Sequence, residues 1–110
     1  MAIEIYEVEG TFEGGHGEDN LPTFTMPPVV KRFTRIHSAH LALNSMDFRF
    51  LNGDHYLQEL AIEFDEPRIR NEPEQSVIEI SGRFGLRDSG DFDDPFAVRV
   101  RCLIIAEADH

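Results

Sequence analysis

The sequence predicts an all-β protein, an antiparallel β-sandwich of about six to seven strands. Apolar residues in the last two thirds of the chain recur at every second position, which is the spacing of a strand with one buried face. Polar segments rich in glycine, proline and aspartate separate these apolar stretches. No segment sustains a helical period, and residues 38–46 are the only stretch where a short helix is an alternative.

Four segments carry the alternation, and their apolar residues are all even-numbered. They are Met46, Phe48 and Phe50; Tyr56, Leu60, Ile62 and Phe64; Ile78, Ile80, Phe84 and Leu86; and Phe96, Val98, Val100, Cys102 and Ile104. Charged residues such as Arg49, Glu63, Arg83 and Arg99 occupy odd positions between them. Each segment therefore predicts a strand with one dry and one wet face.

The N-terminal half predicts two or three further strands, because residues 3–8 and 29–43 contain many β-branched and aromatic side chains. Proline on both sides of Phe24 favours a sheet edge or a turn there. Surface loops are expected at residues 10–20, 65–75 and 88–95.

The first two alternating segments are separated by Leu51-Asn52-Gly53. A three-residue turn with Gly53 in the left-handed conformation would place Phe50 opposite Asp54 and Phe48 opposite Tyr56. This register keeps the even-numbered faces together, so it is favoured over a two-residue Asn-Gly turn.

Length and charge restrict the classes of function. A chain of 110 residues predicts a single domain over residues 1–110. Its net charge of −11 argues against nucleic acid and anionic membranes as partners. The single cysteine and the absence of a signal-like segment predict a reducing, cytoplasmic location.

Residues 88–95 form an acidic segment with four aspartates, Asp88, Asp91, Asp93 and Asp94. Calcium prefers several oxygen ligands, so these four carboxylates are the candidate metal ligands. No cofactor is required by the sequence, and calcium is the one this segment could hold. The competing interpretation is a solvated turn in an acidic protein.

Four residues are candidate ligand-binding groups for a carbohydrate or protein ligand: Asp54, His55, Tyr56 and Phe92. Aromatic rings stack on sugars, while His and Asp bond to hydroxyl groups. A zinc site that uses His37 and His40 is disfavoured, because an extended strand would point them to opposite faces.

Catalytic residues are not predicted. The chain has no Gly-x-Ser-x-Gly nucleophile motif, no phosphate-binding glycine pattern and no dinucleotide fingerprint. Cys102 is expected in the core and not as a reactive thiolate.

The segment Phe24-Thr25-Met26-Pro27-Pro28-Val29-Val30 and the final strand Val98 to Ala106 resemble the H-type lectins. That resemblance implies a six-stranded antiparallel sandwich that assembles into trimers or hexamers. The final strand of the family usually carries a Trp, which this chain lacks.

The leading hypothesis is a non-catalytic binding or assembly module that forms a homo-oligomer. The expected interface is the odd-numbered face of the last strand, Leu103 and Ile105, together with Leu57 and Ala61, since contiguous exposed apolar surface marks contact sites. One alternative is a calcium-assisted carbohydrate-binding domain, and a second is a hydrolase with carboxylates at a subunit interface. The alternative to an oligomer interface at Leu103 and Ile105 is that the N-terminal strand or the Phe24 segment of the same chain covers these two residues.

Overall fold

A computed structural model describes residues 2–14, 23–51, 59–87 and 96–109, and within them every regular element is a β-strand. The predicted all-β class is confirmed. The strands are β1 (Ala2–Gly14), β2 (Thr23–Thr25), β3 (Val29–Arg32), β4 (Arg35–Phe50), β5 (Glu59–Phe64), β6 (Arg68–Asn71), β7 (Gln75–Glu79), β8 (Ser81–Arg87) and β9 (Phe96–Asp109). The helical alternative for residues 38–46 is wrong, since they lie inside β4.

In the part of the chain that the structure describes, the strands form three antiparallel three-stranded sheets with the orders β1-β9-β4, β2-β8-β5 and β3-β7-β6. The strands of the second and third sheets are neighbours along the chain: β2 is followed by β3, β5 by β6 and β7 by β8. Only Ile80 separates β7 from β8, and its carbonyl accepts a hydrogen bond of 2.8 Å from Met26 N. Short interruptions of this kind explain why the described ranges contain nine strand segments where six to seven strands were expected.

The core is built on the even-numbered face of β9. All seven even positions of this strand, from Phe96 to Ala108, are at most 1% exposed, while Arg99 and Ile105 on the odd face are exposed. Ile80 and Phe84 are equally buried, as the alternation predicted, whereas β7 buries the consecutive residues Ser76, Val77 and Ile78. Cys102 lies among them, and burial raises the pKa of its thiol to about 11, so it is a core residue.

The alternation fails at Met46, which was predicted on the dry face and is 45% exposed. It lies in β4, an edge strand within the described part of the chain, and pairs with Val100. Two register shifts also interrupt β4, between Ile36 and Ser38 and between Leu43 and Ser45. An inserted residue at a bulge changes which side chains share a face.

Phe84 lies at the centre of an aromatic cluster that joins several strands. Its ring centroid is 6.0 Å from that of Phe12, 5.6 Å from that of Phe24 and 5.2 Å from that of Phe64. β2, which carries Phe24, is an edge strand, as the flanking prolines predicted.

The loop expected at residues 10–20 is wrong for residues 10–14, which belong to β1. Gly14 is buried, and a Cβ there would lie only 2.8 Å from the Phe96 ring. The glycine is needed because an aromatic ring from the paired strand occupies the space of its side chain.

The loop expected at residues 65–75 is also interrupted, by β6. Asn71 at the end of β6 joins this sheet to β4, because its side chain accepts from Ile36 N at 2.9 Å and donates to Ile36 O at 3.0 Å. The predicted turn at Gly53, with its partners Asp54 and Tyr56, lies outside the described residues. Phe48 and Phe50 pair with Val98 and Phe96 of β9.

Gly82→Ala is expected to destabilise the protein by about 1–3 kcal/mol. A Cβ at this buried position would lie 2.7 Å from the Glu63 carbonyl oxygen of the paired strand β5, and backbone cannot rotate away as a side chain can. Chemical denaturation of this variant and of Ser81→Ala, its half-buried neighbour, checks the expectation. Equal stability of Gly82→Ala and the parent would contradict it.

Candidate functional site

The residues predicted to bind a ligand or a metal lie outside the described part of the structure. This holds for Asp54, His55, Tyr56 and Phe92, and for Asp88, Asp91, Asp93 and Asp94. The calcium and carbohydrate hypotheses therefore stay predictions. Among the residues that are described, no three His, Cys, Asp or Glu side chains are grouped so that they could hold a metal ion.

The surface that stands out is the outer face of the β1-β9-β4 sheet, meaning the side away from the core. Paired residues of neighbouring antiparallel strands point to the same side. The rows across this face, in the order β1, β9 and β4, are Ile3, Glu107 and Ser38; Ile5, Ile105 and His40; Glu7, Leu103 and Ala42; Glu9, Arg101 and Ser45; and Thr11, Arg99 and Asp47.

An apolar patch lies in the first three of these rows and consists of Ile3, Ile5, Leu103 and Ile105. The three isoleucines are 70%, 64% and 40% exposed, and Leu103 is half-buried. Ile5 and Ile105 are directly paired, so the exposed side chains are contiguous. Contiguous exposed apolar side chains on a sheet mark a surface where another molecule packs.

Arginine-glutamate ion pairs lie at one end of the outer face. Arg101 Nε lies 3.0 Å from Glu7 Oε1, and Arg99 bonds to Glu9. The pKa of Glu9 is lowered, mainly because Arg99 donates a hydrogen bond to its carboxylate. These pairs link β1 to β9 and fix both arginines on the outer face.

The opposite end of the outer face is acidic, with Glu107 and Asp109 on β9. His37 Nε2 and Asp109 Oδ2 are 2.5 Å apart, and this hydrogen bond lowers the pKa of Asp109. The argument that His37 and His40 point to opposite faces is wrong. The register shift after Ile36 brings His37 to Asp109 while His40 pairs with Ile105, and both partners lie on the outer face.

A cleft of about 440 Å³ lies beside the turn between β3 and β4. Its rim includes Phe33, which has a φ of 54° and is 71% exposed. Positive φ is uncommon for an aromatic residue and is tolerated here with a hydrogen bond of 2.8 Å from Phe33 N to Glu74 O.

The floor of this cleft is structural. Ser76 is 1% exposed, and its Oγ donates to Thr34 O at 2.5 Å. The same Oγ is also within hydrogen-bonding distance of Asn71 Oδ1. Neither acceptor is a general base, and a serine nucleophile would need its hydroxyl proton to face one. The cleft therefore gives no support to a hydrolase.

Sequence reasoning found half of the apolar patch. Leu103 and Ile105 were predicted on the outer face of the last strand, but Ile3 and Ile5 were missed, and Ala61 was wrongly placed on a strand beside the last one. Ala61 pairs with Gly85 in the β2-β8-β5 sheet, and Leu57 lies outside the described residues. The alternation of isoleucine with glutamate in residues 3–5 could have indicated that Ile3 and Ile5 lie on one face of a strand. Only the pairing of β1 with β9 shows that this face continues into the one that carries Ile105.

Comparisons with protein-family models, with curated proteins and with solved structures found no match for this chain. In the described ranges, no helix is long and apolar enough to cross a membrane. Any functional conclusion therefore rests on the geometry of the chain itself.

Proposed function

We propose that this chain is a non-catalytic assembly module that self-associates through the outer face of the β1-β9-β4 sheet. The observation that carries the proposal is the exposed apolar patch of Ile3 and Ile5 on β1 with Leu103 and Ile105 on β9. In water this patch costs free energy, at about 25 cal/mol for each Å² of apolar surface. A second copy of the chain would remove it from water.

Cover by another part of the same chain is not supported by the described residues. β1 lies beside β9 in the sheet and not over it, so it adds Ile3 and Ile5 to the exposed surface. The Phe24 segment pairs with β8, and the Phe24 ring packs on the core side against Phe84. Self-association is the interpretation that accounts for all four apolar side chains.

A β-sandwich is the arrangement that we propose for the three sheets. One hydrophobic cluster contains residues from β9 of the first sheet, Phe84 of the second and Ile78 of the third. The second and third sheets would together form one bent layer, because Met26 N and Asp65 N continue the hydrogen bonding past the breaks, to Ile80 O and Ser81 O. One layer of such a sandwich leaves its other face free for a partner.

Replacing Ile3 and Ile5 by lysine is expected to dissociate the assembly while the fold remains. Both side chains are more than 60% exposed, so the change costs little in the isolated subunit, whereas two ammonium groups in an apolar interface are costly. Sedimentation velocity at micromolar concentration, with far-ultraviolet circular dichroism to check the sheet, measures the outcome.

Val30→Lys is the matched control, because Val30 is 48% exposed on β3 of a different sheet. This variant is expected to sediment like the parent. A monomeric parent at micromolar concentration would refute the proposal, as would dissociation caused equally by Val30→Lys.

A further inference from the structure

We propose that the edge of β1 binds an extended segment of another protein as an added strand. The segment alternates basic and apolar residues and lies in a groove between β1 and the chain that leads into β3. This inference goes beyond self-association, because it uses the edge of the β1-β9-β4 sheet and not its outer face. Its basis is the difference between the two edges of that sheet.

β1 is a long edge strand that lacks several features by which proteins protect an edge. In the described part of the chain it pairs only with β9, over all 13 residues and with no register shift. Its sequence contains no proline, lysine or arginine, and proteins commonly place these residues or a bulge on edge strands. Because an antiparallel ladder uses the backbone groups of alternate residues, the other residues direct their N–H and C=O groups away from β9.

β4, at the other edge of the same sheet, is protected. Two register shifts interrupt it. The Asn71 side chain bonds both backbone groups of Ile36, at 2.9 Å to the N and 3.0 Å to the O. Of these two edges, β1 is therefore the one that offers a continuous row of backbone groups to a further strand.

A groove of about 390 Å³ borders the edge of β1. It lies between residues 6–9 of β1 and residues 27–31. Its lining includes Val8, which is buried, and Val29, which is half-buried. Lys31 Nζ lies 4.6 Å from the centroid of the Tyr6 ring, so these two side chains connect the walls. Residues 6–9 span roughly 10 Å, which is the length of a short extended segment.

Strand pairing determines which side chains the segment needs. Residues paired across neighbouring strands point to the same side of a sheet. A residue opposite Val8 would point towards the groove and Val29, where an apolar side chain fits. Residues opposite Glu7 and Glu9 would point to the outer side, beside the two carboxylates. The segment therefore reads basic, apolar, basic.

Glu7 and Glu9 can bond a further cation although both contact arginines of β9. Their side chains remain 56% and 40% exposed while Arg101 lies 3.0 Å from Glu7 Oε1 and 3.6 Å from Glu9 Oε2. The two oxygens of a carboxylate accept about four hydrogen bonds, and an added strand approaches from the side away from β9. The net charge of −11 also attracts a basic partner.

A second copy of β1 is a poorer occupant of this edge. Antiparallel pairing centred on the groove would bring Glu7 opposite the partner subunit's Glu7 or the partner subunit's Glu9. Like charges directly opposite each other destabilise a sheet. The glutamates of β1 thus resist pairing between copies and favour a segment of basic sequence.

The probe is the acetylated and amidated peptide Arg-Val-Arg-Val-Arg-Val-Arg, and the measurement is hydrogen–deuterium exchange of the backbone amides. We expect the peptide to slow exchange in residues 6–9 of β1 and to leave residues 41–47 of β4 unchanged. The matched control is the same peptide N-methylated at every residue, which keeps the charge but has no backbone donors. It is expected to give no protection.

Val29→Arg tests the groove, because it puts a cation where the apolar side chain of the peptide packs. We expect it to weaken binding, measured by fluorescence anisotropy of the labelled peptide, on the order of tenfold. Leu43→Arg makes the same change on β4, where Leu43 is 43% exposed, and is expected to bind the peptide like the parent.

Protection of residues 6–9 by the peptide, absent with its N-methylated form, supports the inference. No protection of the parent at about 1 mM peptide overturns it. Equal protection by the two peptides also overturns it, since attraction by charge alone would then explain the binding. If circular dichroism shows that Val29→Arg is unfolded, the comparison of the two peptides on the parent decides.

Discussion

Phe84→Ala is expected to lower the free energy of unfolding by about 3–5 kcal/mol. The Phe84 side chain is fully buried and its ring contacts those of Phe12, Phe24 and Phe64. Alanine would leave a cavity between strands of different sheets, and the surrounding rings cannot all move to fill it. A loss of this size is a large fraction of the stability of an ordinary domain.

Urea denaturation followed by circular dichroism measures this loss. Phe33→Ala is the control, since Phe33 is 71% exposed and contributes no buried contact of comparable size. It is expected to change stability by less than about 1 kcal/mol. A Phe84→Ala variant as stable as the Phe33→Ala variant would show that the aromatic cluster is not the centre of the core.

Asn71→Leu is the second substitution with a large expected effect, about 2–4 kcal/mol of lost stability. The Asn71 amide forms two hydrogen bonds with the backbone of Ile36, which is 2% exposed. Leucine has a similar size but can neither donate nor accept, so both backbone groups lose these partners. The change should also weaken the connection between β6 and β4.

Asn71→Asp is the matched control because it keeps an oxygen that accepts from Ile36 N while it loses the donor to Ile36 O. We expect its stability to lie between those of the parent and the leucine variant. Thermal and urea denaturation of the three proteins give the order. Equal stability of Asn71→Leu and the parent would contradict the bridging role of Asn71.

The alternation of apolar residues predicted correctly which faces of β8 and β9 are buried. It assigned Ile80, Phe84 and the even positions from Phe96 to Ile104 to the core, because a period of two is imposed on any strand that buries one face. It could not show the bulges of β4, since an inserted residue leaves the composition of the segment unchanged. For this reason the relative positions of His37 and His40 were predicted wrongly.

Glycine was the other source of error. Gly14 suggested a loop because glycine favours turns, but its actual role is to leave room for the Phe96 ring on the paired strand. A requirement of this kind comes from a residue more than 80 positions away, which local sequence does not contain. The candidate surface shows the same limit, because Ile3 and Ile105 become neighbours only through the pairing of β1 with β9.

The position of β9 also has a consequence for how the chain is made. β1 and β4 do not pair with each other and are both held by β9, which the ribosome synthesises after them. The nascent chain thus carries two long strands of 13 and 16 residues that have no partner in this sheet until residues 96–109 emerge. Pairing between distant segments is slow, and unpaired strands are prone to join those of other chains. Arrest of translation before Phe96 should therefore leave a nascent chain that is sensitive to protease and binds chaperones.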